Sequence, residues 1–190
     1  MKRNSFISTV MILAATPLLS YSQNRSYNHS NGKGFKVKSG EGRIHGHIKL
    51  KGVNKNILDL KVSGSDTDGG MSVFEQTSIS QGMGTPLHVH YSQNEMFYVI
   101  EGSYKFKVGE DEFELSAGDS IFLPEKVPHA WTQISKKGKM TVIFQPAGKM
   151  EQFFVTVAAL DHEPSKSEMA QLFKDNEMEI VGPPLKMGRS

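Results

Sequence analysis

Apolar and polar residues alternate in many short runs between residue 35 and about residue 145. Residues two apart share one face of a β-strand, so this alternation predicts strands with one buried face. Gly, Asp, Ser and Pro separate the runs at roughly even intervals, which favours an antiparallel sandwich or barrel. The predicted strands are 35–38, 44–48, 57–62, 71–75, 96–100, 103–108, 112–115, 121–123, 129–134 and 140–144.

The pattern changes after this region. Residues 150–160 form an apolar stretch that suits a helix or a strand, and we predict a helix. Ser165 and Glu168 have the spacing of a capping box, which predicts a helix to about residue 174. Its apolar residues Met169, Leu172 and Phe173 would cover the barrel. We interpret residues 161–190 as a C-terminal helix and tail with a packing role, following a barrel at 35–160.

The N-terminus has the features of a secretory signal peptide. Lys2 and Arg3 precede an apolar run at residues 6–19, and small residues suited to cleavage follow at Ser20 and Ser22. The alternative is a retained membrane anchor, but the run is shorter than the roughly 20 residues of a spanning helix. We therefore predict cleavage after residue 22, a flexible lead at 23–34, and export to the periplasm or beyond without stable membrane insertion.

Composition narrows the chemistry. A chain of 190 residues suits one domain, and the absence of cysteine excludes disulfides, thiolate nucleophiles and Cys-ligated metals. Any metal must be bound by His, Asp or Glu. Lys and Arg number 22 and Asp and Glu 20; the first 22 residues contain two basic groups and no acidic one, so the remainder is formally neutral. A nucleic-acid partner is therefore not predicted.

The candidate chemistry lies between residues 82 and 133. His88 and His90 would project from the same face of a strand, with Cα atoms about 6.6 Å apart. A turn after His90 would bring Glu95 back on the neighbouring strand, and His129 would supply a third imidazole from another strand. These four side chains predict a metal site; the alternative is a set of ordinary core or surface histidines.

This region resembles the two motifs of the cupin superfamily. The first motif (glycine, five residues, HxH, four residues, Glu, six residues, glycine) is met from Gly82 to Gly102. The second is met at Gly118, Pro124 and His129. It departs at Lys126, where the family usually has glycine, and at Gln133, where it often has asparagine. Because Lys126 replaces glycine, we expect no positive φ in that turn.

The resemblance implies an all-β fold, a double-stranded β-helix (jelly-roll) barrel of six to eight strands. It also implies that one divalent transition metal (Fe, Mn, Ni, Co, Cu or Zn) is bound by His88, His90, Glu95 and His129. One or two metal positions would remain for water, O2 or substrate. Members of the family commonly pair through exposed strands, so we expect a homodimer.

Strand parity predicts what surrounds the metal. If Glu95 and His129 face inward, the residues that follow them at intervals of two do so as well. The predicted substrate pocket therefore comprises Phe97, Val99, Trp131 and Gln133, with Phe106, Phe122 and Phe144 as further candidates. The alternative is that these side chains simply fill the barrel. Outside this region, His45 and His47 are predicted to lie on an exposed strand face and His162 to be solvated.

Within the superfamily, residues 86–102 and 118–129 are similar to bacterial quercetin 2,3-dioxygenase-like cupins. Those enzymes chelate a flavonol on the metal, remove its hydroxyl proton with the motif glutamate and insert O2 with loss of carbon monoxide. The resemblance implies that Glu95 is both ligand and general base in a dioxygenase for an enolic or phenolic small molecule. The alternatives are a non-catalytic cupin that binds or senses a ligand in the periplasm, and an isomerase or decarboxylase, which would need a further acid/base residue.

Overall fold

The structure is a computed structural model that describes residues 33–52 and 54–187. The predicted signal peptide and most of the predicted lead lie outside the described residues. Neither α-helix of the described part is long and apolar enough to cross a membrane.

Most of the regular secondary structure in the described chain is β-structure. The strands are β1 His47–Lys49, β2 Ile57–Val62, β3 Ser72–Ser78, β4 Pro86–His90, β5 Asn94–Glu101, β6 Ser103–Val108, β7 Asp111–Ser116, β8 Ser120–Leu123, β9 His129–Gln133, β10 Gly138–Gln145 and β11 Met178–Pro184. A 3-10 helix spans Gly64–Thr67, and two α-helices, α1 Met150–Ala159 and α2 Lys166–Asp175, precede β11.

The strands form two sheets. A six-stranded sheet has the order β1-β2-β3-β10-β5-β8, and a five-stranded sheet has the order β11-β4-β9-β6-β7. All pairings between these strands are antiparallel. The predicted all-β jelly-roll architecture with a short C-terminal helical segment is confirmed. The described residues form eleven strands, more than the six to eight that the resemblance implied.

The core lies between the inner faces of the two sheets. In β3 and β10 buried and half-exposed residues alternate along the strand, as expected for sheets with one face toward the core. Helices α1 and α2 close one side with their apolar faces. The largest apolar side chains that are completely buried are Phe74, Tyr104, Phe106, Phe144, Leu58, Leu60, Leu123, Met140 and Met178.

The secondary structure near the two ends of the described region differs from the prediction. Residues 35–38 form no strand because no other strand pairs with them; Phe35 instead packs its ring against the Arg43 guanidinium, 3.9 Å from the ring centre. The C-terminal tail is not separate from the barrel. Its strand β11 pairs with β4, placing Ile180 opposite His88 at the edge of the five-stranded sheet.

The expectation for Lys126 is wrong. Its φ is +64°, in the left-handed region that glycine adopts without strain. Two backbone hydrogen bonds hold this conformation: the Lys126 amide donates to the His90 carbonyl at 2.7 Å, and the Val127 amide donates to the Pro124 carbonyl at 3.4 Å. The turn thus keeps the conformation of the family's usual glycine although a side chain is present.

We predict that Lys126→Gly stabilises the protein. Removing the β-carbon relieves a left-handed conformation that costs roughly 1–2 kcal/mol in other residues, partly offset by the greater freedom of glycine when unfolded. We expect a net gain of about 1 kcal/mol in the free energy of unfolding, measured by urea denaturation. Lys126→Ala, which keeps the β-carbon, is the control and should change stability by less than about 0.5 kcal/mol. A less stable glycine variant would contradict this explanation.

Candidate metal centre

Four buried side chains from three strands meet inside the barrel. His88 and His90 lie on β4 and His129 lies on β9, where His129 is the register partner of His88 in the five-stranded sheet. Glu95 lies on β5 of the six-stranded sheet. All four are 5% exposed or less. The cluster therefore spans the space between the two sheets.

The connection from His90 to Glu95 differs from the prediction. Glu95 does not return on a strand that pairs with β4, since β4 and β5 belong to different sheets. The residues between them cross from one sheet to the other, so Glu95 approaches the histidines from the opposite wall. The carboxylate and the imidazoles therefore face one another across the barrel.

Hydrogen bonds fix the tautomer of each imidazole. The Nδ1 atoms of His88 and His129 lie 2.9 Å from the Pro86 carbonyl and 3.0 Å from the Val127 carbonyl. A carbonyl oxygen can only accept, so each Nδ1 carries the hydrogen and donates. In the neutral ring Nε2 then has the lone pair that binds a metal.

Gln93 fixes the tautomer of His90, and the sequence analysis did not identify this role. Its Nε2 donates to the carbonyls of Pro146 at 3.0 Å and Ala147 at 2.8 Å, which fixes the orientation of the amide. The Gln93 Oε1 therefore faces His90 Nδ1, 3.2 Å away, and accepts its hydrogen. No sequence signal distinguished this buried amide from an ordinary polar turn residue.

The four donor groups fit one cation. Their donor atoms all lie within 4.8 Å of one another, close to the roughly 4 Å between opposite ligands that bind one ion at about 2.1 Å. The Nε2 of His90 lies 2.6 Å and that of His129 3.6 Å from Glu95 Oε1. Both Nε2 atoms are buried, yet neither has a hydrogen-bond partner of acceptable geometry. Lone pairs gathered around a carboxylate without aligned hydrogens suit a bound cation.

Burial and mutual charge set the ionisation of the cluster. Desolvation, together with repulsion from His129 and His90, lowers the pKa of His88 to about 3. Desolvation opposes the charged forms of His90 and Glu95, but their contact outweighs it and raises the pKa of His90. For the same reason the pKa of Glu95 lies well below its usual range. Glu95 is therefore a carboxylate at neutral pH, and His88 is a neutral imidazole.

A small cavity of about 60 Å³ lies beside the cluster. Beyond the residues of the cluster, the polar side chains that line it within the described part of the chain are the uncharged Asn54, Gln76 and Thr85. The rest of the wall is apolar and comes from both sheets and from the C-terminal segment: Leu50, Leu58, Phe97, Trp131, Val142, Phe144, Met150, Phe153, Phe154, Phe173 and Met178. The C-terminal residues were expected to pack on the barrel, but their place in this wall was not predicted.

The predicted pocket residues fall into three groups. Phe97, Trp131 and Phe144 line the cavity. Val99, Phe106 and Gln133 are completely buried but lie outside its wall. The Gln133 amide instead bonds the backbone of a nearby turn, accepting from Ser80 and donating to the carbonyls of Ser78 and Ser135.

The prediction for Phe122 is wrong. Its side chain is 60% exposed on the outer face of the six-stranded sheet. Directly opposed residues of an antiparallel pair share a face. Phe122 lies opposite the exposed Met96, and it is Leu123, opposite Glu95, that points inward.

The other described histidines take no part in the cluster. His47 is an exposed residue of β1 whose Nδ1 lies 2.7 Å from Asp59 Oδ1. His45 precedes β1 rather than lying on a strand, and its Nε2 is 2.8 Å from Glu151 Oε1. His162 is exposed and pairs with Asp161 and Glu168. Because Glu168 is engaged there, only Ser165 caps α2, accepting a hydrogen bond from the Glu168 amide.

Residues 76–145 match the family model described as "Cupin domain". This region includes β4 to β10 and all four residues of the cluster. The fold is a cupin barrel. The matched residues are fewer than half of the chain, so membership of the cupin superfamily and the quercetin dioxygenase-like subtype both remain predictions.

Other proteins are similar to parts of this chain in sequence or in structure. An uncharacterized protein of Methanocaldococcus jannaschii is 40% identical over 48 residues, which are 25% of this chain and 38% of that protein. The polyketide cyclase RemF from Streptomyces resistomycificus has a similar structure, with a TM-score of 0.50, 19% identity and coverage of 60% of this chain and 80% of its own. An RmlC-like cupin from Shewanella frigidimarina gives a TM-score of 0.48 at 19% identity, covering 63% and 96% of the two chains.

We predict that His88→Ala reduces the metal content of the purified protein. Removing an imidazole leaves three ligands around the ion, and we expect metal affinity to fall at least about 100-fold. Metal analysis after dialysis against a weak chelator measures this loss. His47→Ala, which removes an exposed histidine from the same chain, is the matched control and should retain the wild-type metal content. Full metal content in the His88 variant would exclude His88 from the ligand set.

We predict that Gln93→Leu also weakens metal binding, although Gln93 is not a ligand. Without its amide, His90 loses the acceptor that fixes its tautomer, and such losses cost about 10–100-fold in metal affinity. Competition with a chromophoric chelator gives the affinity. Gln133→Leu removes an equally buried amide outside the cluster and should leave the affinity unchanged. If both variants lose affinity equally, the effect is general destabilisation.

Proposed function

We propose that this protein is a metal-dependent dioxygenase of the cupin type that acts on an enolic or phenolic small molecule. The observation that carries this proposal is the buried cluster of three imidazoles and one carboxylate beside an apolar cavity. His88, His90, Glu95 and His129 would hold one divalent transition metal. This ligand set suits Fe, Mn, Ni, Co, Cu or Zn, and it leaves coordination positions open.

When bound, a redox-active metal would supply Lewis acidity toward a substrate oxygen and a path for electrons between substrate and O2. The protein would supply the proton acceptor. The Glu95 carboxylate can take the proton of a substrate hydroxyl held next to it. A hydroxyl that is acidified in the bound state, such as that of an enol or a phenol, gives up its proton to a carboxylate most readily.

The walls of the cavity would exclude water from the reaction. Phe97, Trp131 and Val142 present apolar surface beside the cluster. An apolar surround strengthens charge interactions at the site and protects reactive intermediates from water. Both effects favour oxygen chemistry over hydrolysis.

The second candidate is a non-catalytic cupin that uses the metal only to hold a ligand. In its favour, the described cavity wall has no acidic or basic side chain beyond the metal-ligating residues. The same observation counts against an isomerase or decarboxylase, which would need such a residue. Export to the periplasm and assembly as a homodimer remain predictions in either case.

We predict that O2 consumption separates the two candidates. Apoprotein would be loaded separately with Fe, Mn, Ni, Co, Cu or Zn and mixed with a short-chain enol, with catechol or with a flavonol. With at least one redox-active metal, an oxygen electrode should record uptake stoichiometric with substrate. Both atoms of isotopically labelled O2 should appear in the products. If a ligand binds and no metal supports uptake, the dioxygenase proposal is wrong and the binding role is favoured.

Glu95→Gln tests the role of the carboxylate. It keeps the size of the side chain but removes the proton acceptor, so we expect turnover to fall by about 10²–10⁴-fold. Rates are compared per bound metal, since the variant also loses a charged ligand. Glu75→Gln, on β3 outside the cluster, is the control and should keep the wild-type rate. Unchanged turnover in the Glu95 variant would exclude this residue as the base.

A further inference from the structure

The C-terminal segment closes the cavity beside the cluster. We call α1, α2 and Met178, the first residue of β11, the C-terminal cap. It lies outside the region that matches the family model, yet part of the cavity wall comes from it. The contributing residues are Met150, Phe153, Phe154, Phe173 and Met178.

Aromatic rings of the cap reach the metal-ligating residues. Phe173 packs edge-to-face against His88, with ring centres 5.5 Å apart, and Phe153 packs against Phe173 at 5.1 Å. Phe154 lies 5.9 Å from Phe144, whose ring is 6.0 Å from that of His90. Phe173 is thus the cap residue in direct ring contact with the cluster.

These rings also divide the interior. A second cavity of about 50 Å³ shares Phe153, Phe154 and Phe173 with the cavity beside the cluster. An apolar cavity of about 150 Å³ is needed to hold a benzene ring. Neither cavity reaches that size, but removal of the Phe173 ring would join them into one chamber about large enough for a single aromatic ring.

Hydrogen bonds and an ion pair hold the cap in place at several points. Gln93 donates to the two carbonyls that precede α1. The link between the helices is held by Lys51, which donates to the Leu160 carbonyl, and by the Gly52 amide, which donates to Glu163 Oε2 at 2.6 Å. Beyond α2, Glu177 pairs with Lys149 at 3.2 Å. The aromatic side of the cavity is therefore fixed by the fold.

We propose that Phe173 is a specificity-determining residue that limits the size of ligand reaching the metal cluster. This rests on the proposed function and narrows it: of the enolic and phenolic substrates proposed above, a short-chain enol is admitted and a phenol or flavonol ring is excluded. Met150 and Met178 form the adaptable part of the wall, because an unbranched thioether side chain reorients easily. The Phe173 ring cannot reorient in this way while α2 stays packed against the barrel.

Binding of a size series to wild-type protein and Phe173→Ala tests this proposal. The probes are azide, glycolate, catechol and a flavonol. The visible spectrum of the Co(II)-loaded protein reports binding at the metal. The fluorescence lifetime of Trp131, the only tryptophan and a cavity residue, reports entry into the metal-free protein as well.

We expect azide and glycolate to bind both proteins with equal affinity. Catechol should bind Phe173→Ala at least about tenfold more tightly than wild type, the scale of discrimination that an apolar pocket gives for a small change in size. Phe173→Leu should lie between them, and Phe173→Trp should weaken even glycolate. Phe106→Ala, which removes a buried ring outside the cavity wall, is the matched control and should leave catechol affinity unchanged.

Two results would overturn the proposal: equal binding of catechol to wild type and Phe173→Ala, or an equal gain in Phe106→Ala. If Phe173→Ala does not fold, the leucine and tryptophan variants still give changes of opposite sign. Failure of the proposed function is a different outcome. In that case the protein binds no metal or consumes no O2, while Trp131 in the metal-free protein still reports the size limit.

Discussion

The structure depends on the burial of a carboxylate between the two walls of a β-barrel. Glu95 comes from one sheet and three imidazoles come from the other, so the cluster joins the sheets at their inner faces. Burying an ionised carboxylate is costly unless it is paired or bound to a cation. The same contacts therefore serve the fold and the site, because the imidazoles that meet Glu95 to form the cluster also compensate its buried charge.

The surroundings of the cluster direct each donor atom. Backbone carbonyls of Pro86 and Val127 and the side chain of Gln93 accept the Nδ1 hydrogens, which leaves each Nε2 available for a shared ion. Beyond this layer the wall is apolar and partly built by the C-terminal helices. The donor set alone is that of a general metal site, and the C-terminal helices shape part of the space around it.

Parts of the fold and of the cluster could be predicted from the sequence, namely those in which a local pattern sets the geometry. Parity along β5 and β9 placed Phe97 on the same face as Glu95 and Trp131 on the same face as His129, because the period of a strand is fixed. Phe122 was a candidate on its apolar character alone and was wrong, since the face of β8 is set by the pairing of Phe122 with Met96 on β5, a non-local register. The expectation that Lys126 has no positive φ failed for a related reason. A hydrogen bond from the Lys126 amide to the distant His90 carbonyl holds a conformation that the residue type disfavours. The roles of Gln93 and Phe173 arise only from long-range packing.

The buried amide of Gln93 has a consequence for cooperativity. It bonds His90 on one side and the backbone at the start of α1 on the other. Displacing that backbone would strand the two amide hydrogens without acceptors in a buried site, and turning His90 away would strand the oxygen. The position of the His90 ring and the docking of α1 are thus thermodynamically linked. Such linkage is reciprocal: the free energy by which an ordered His90 favours docking of α1 equals the free energy by which docking of α1 favours an ordered His90.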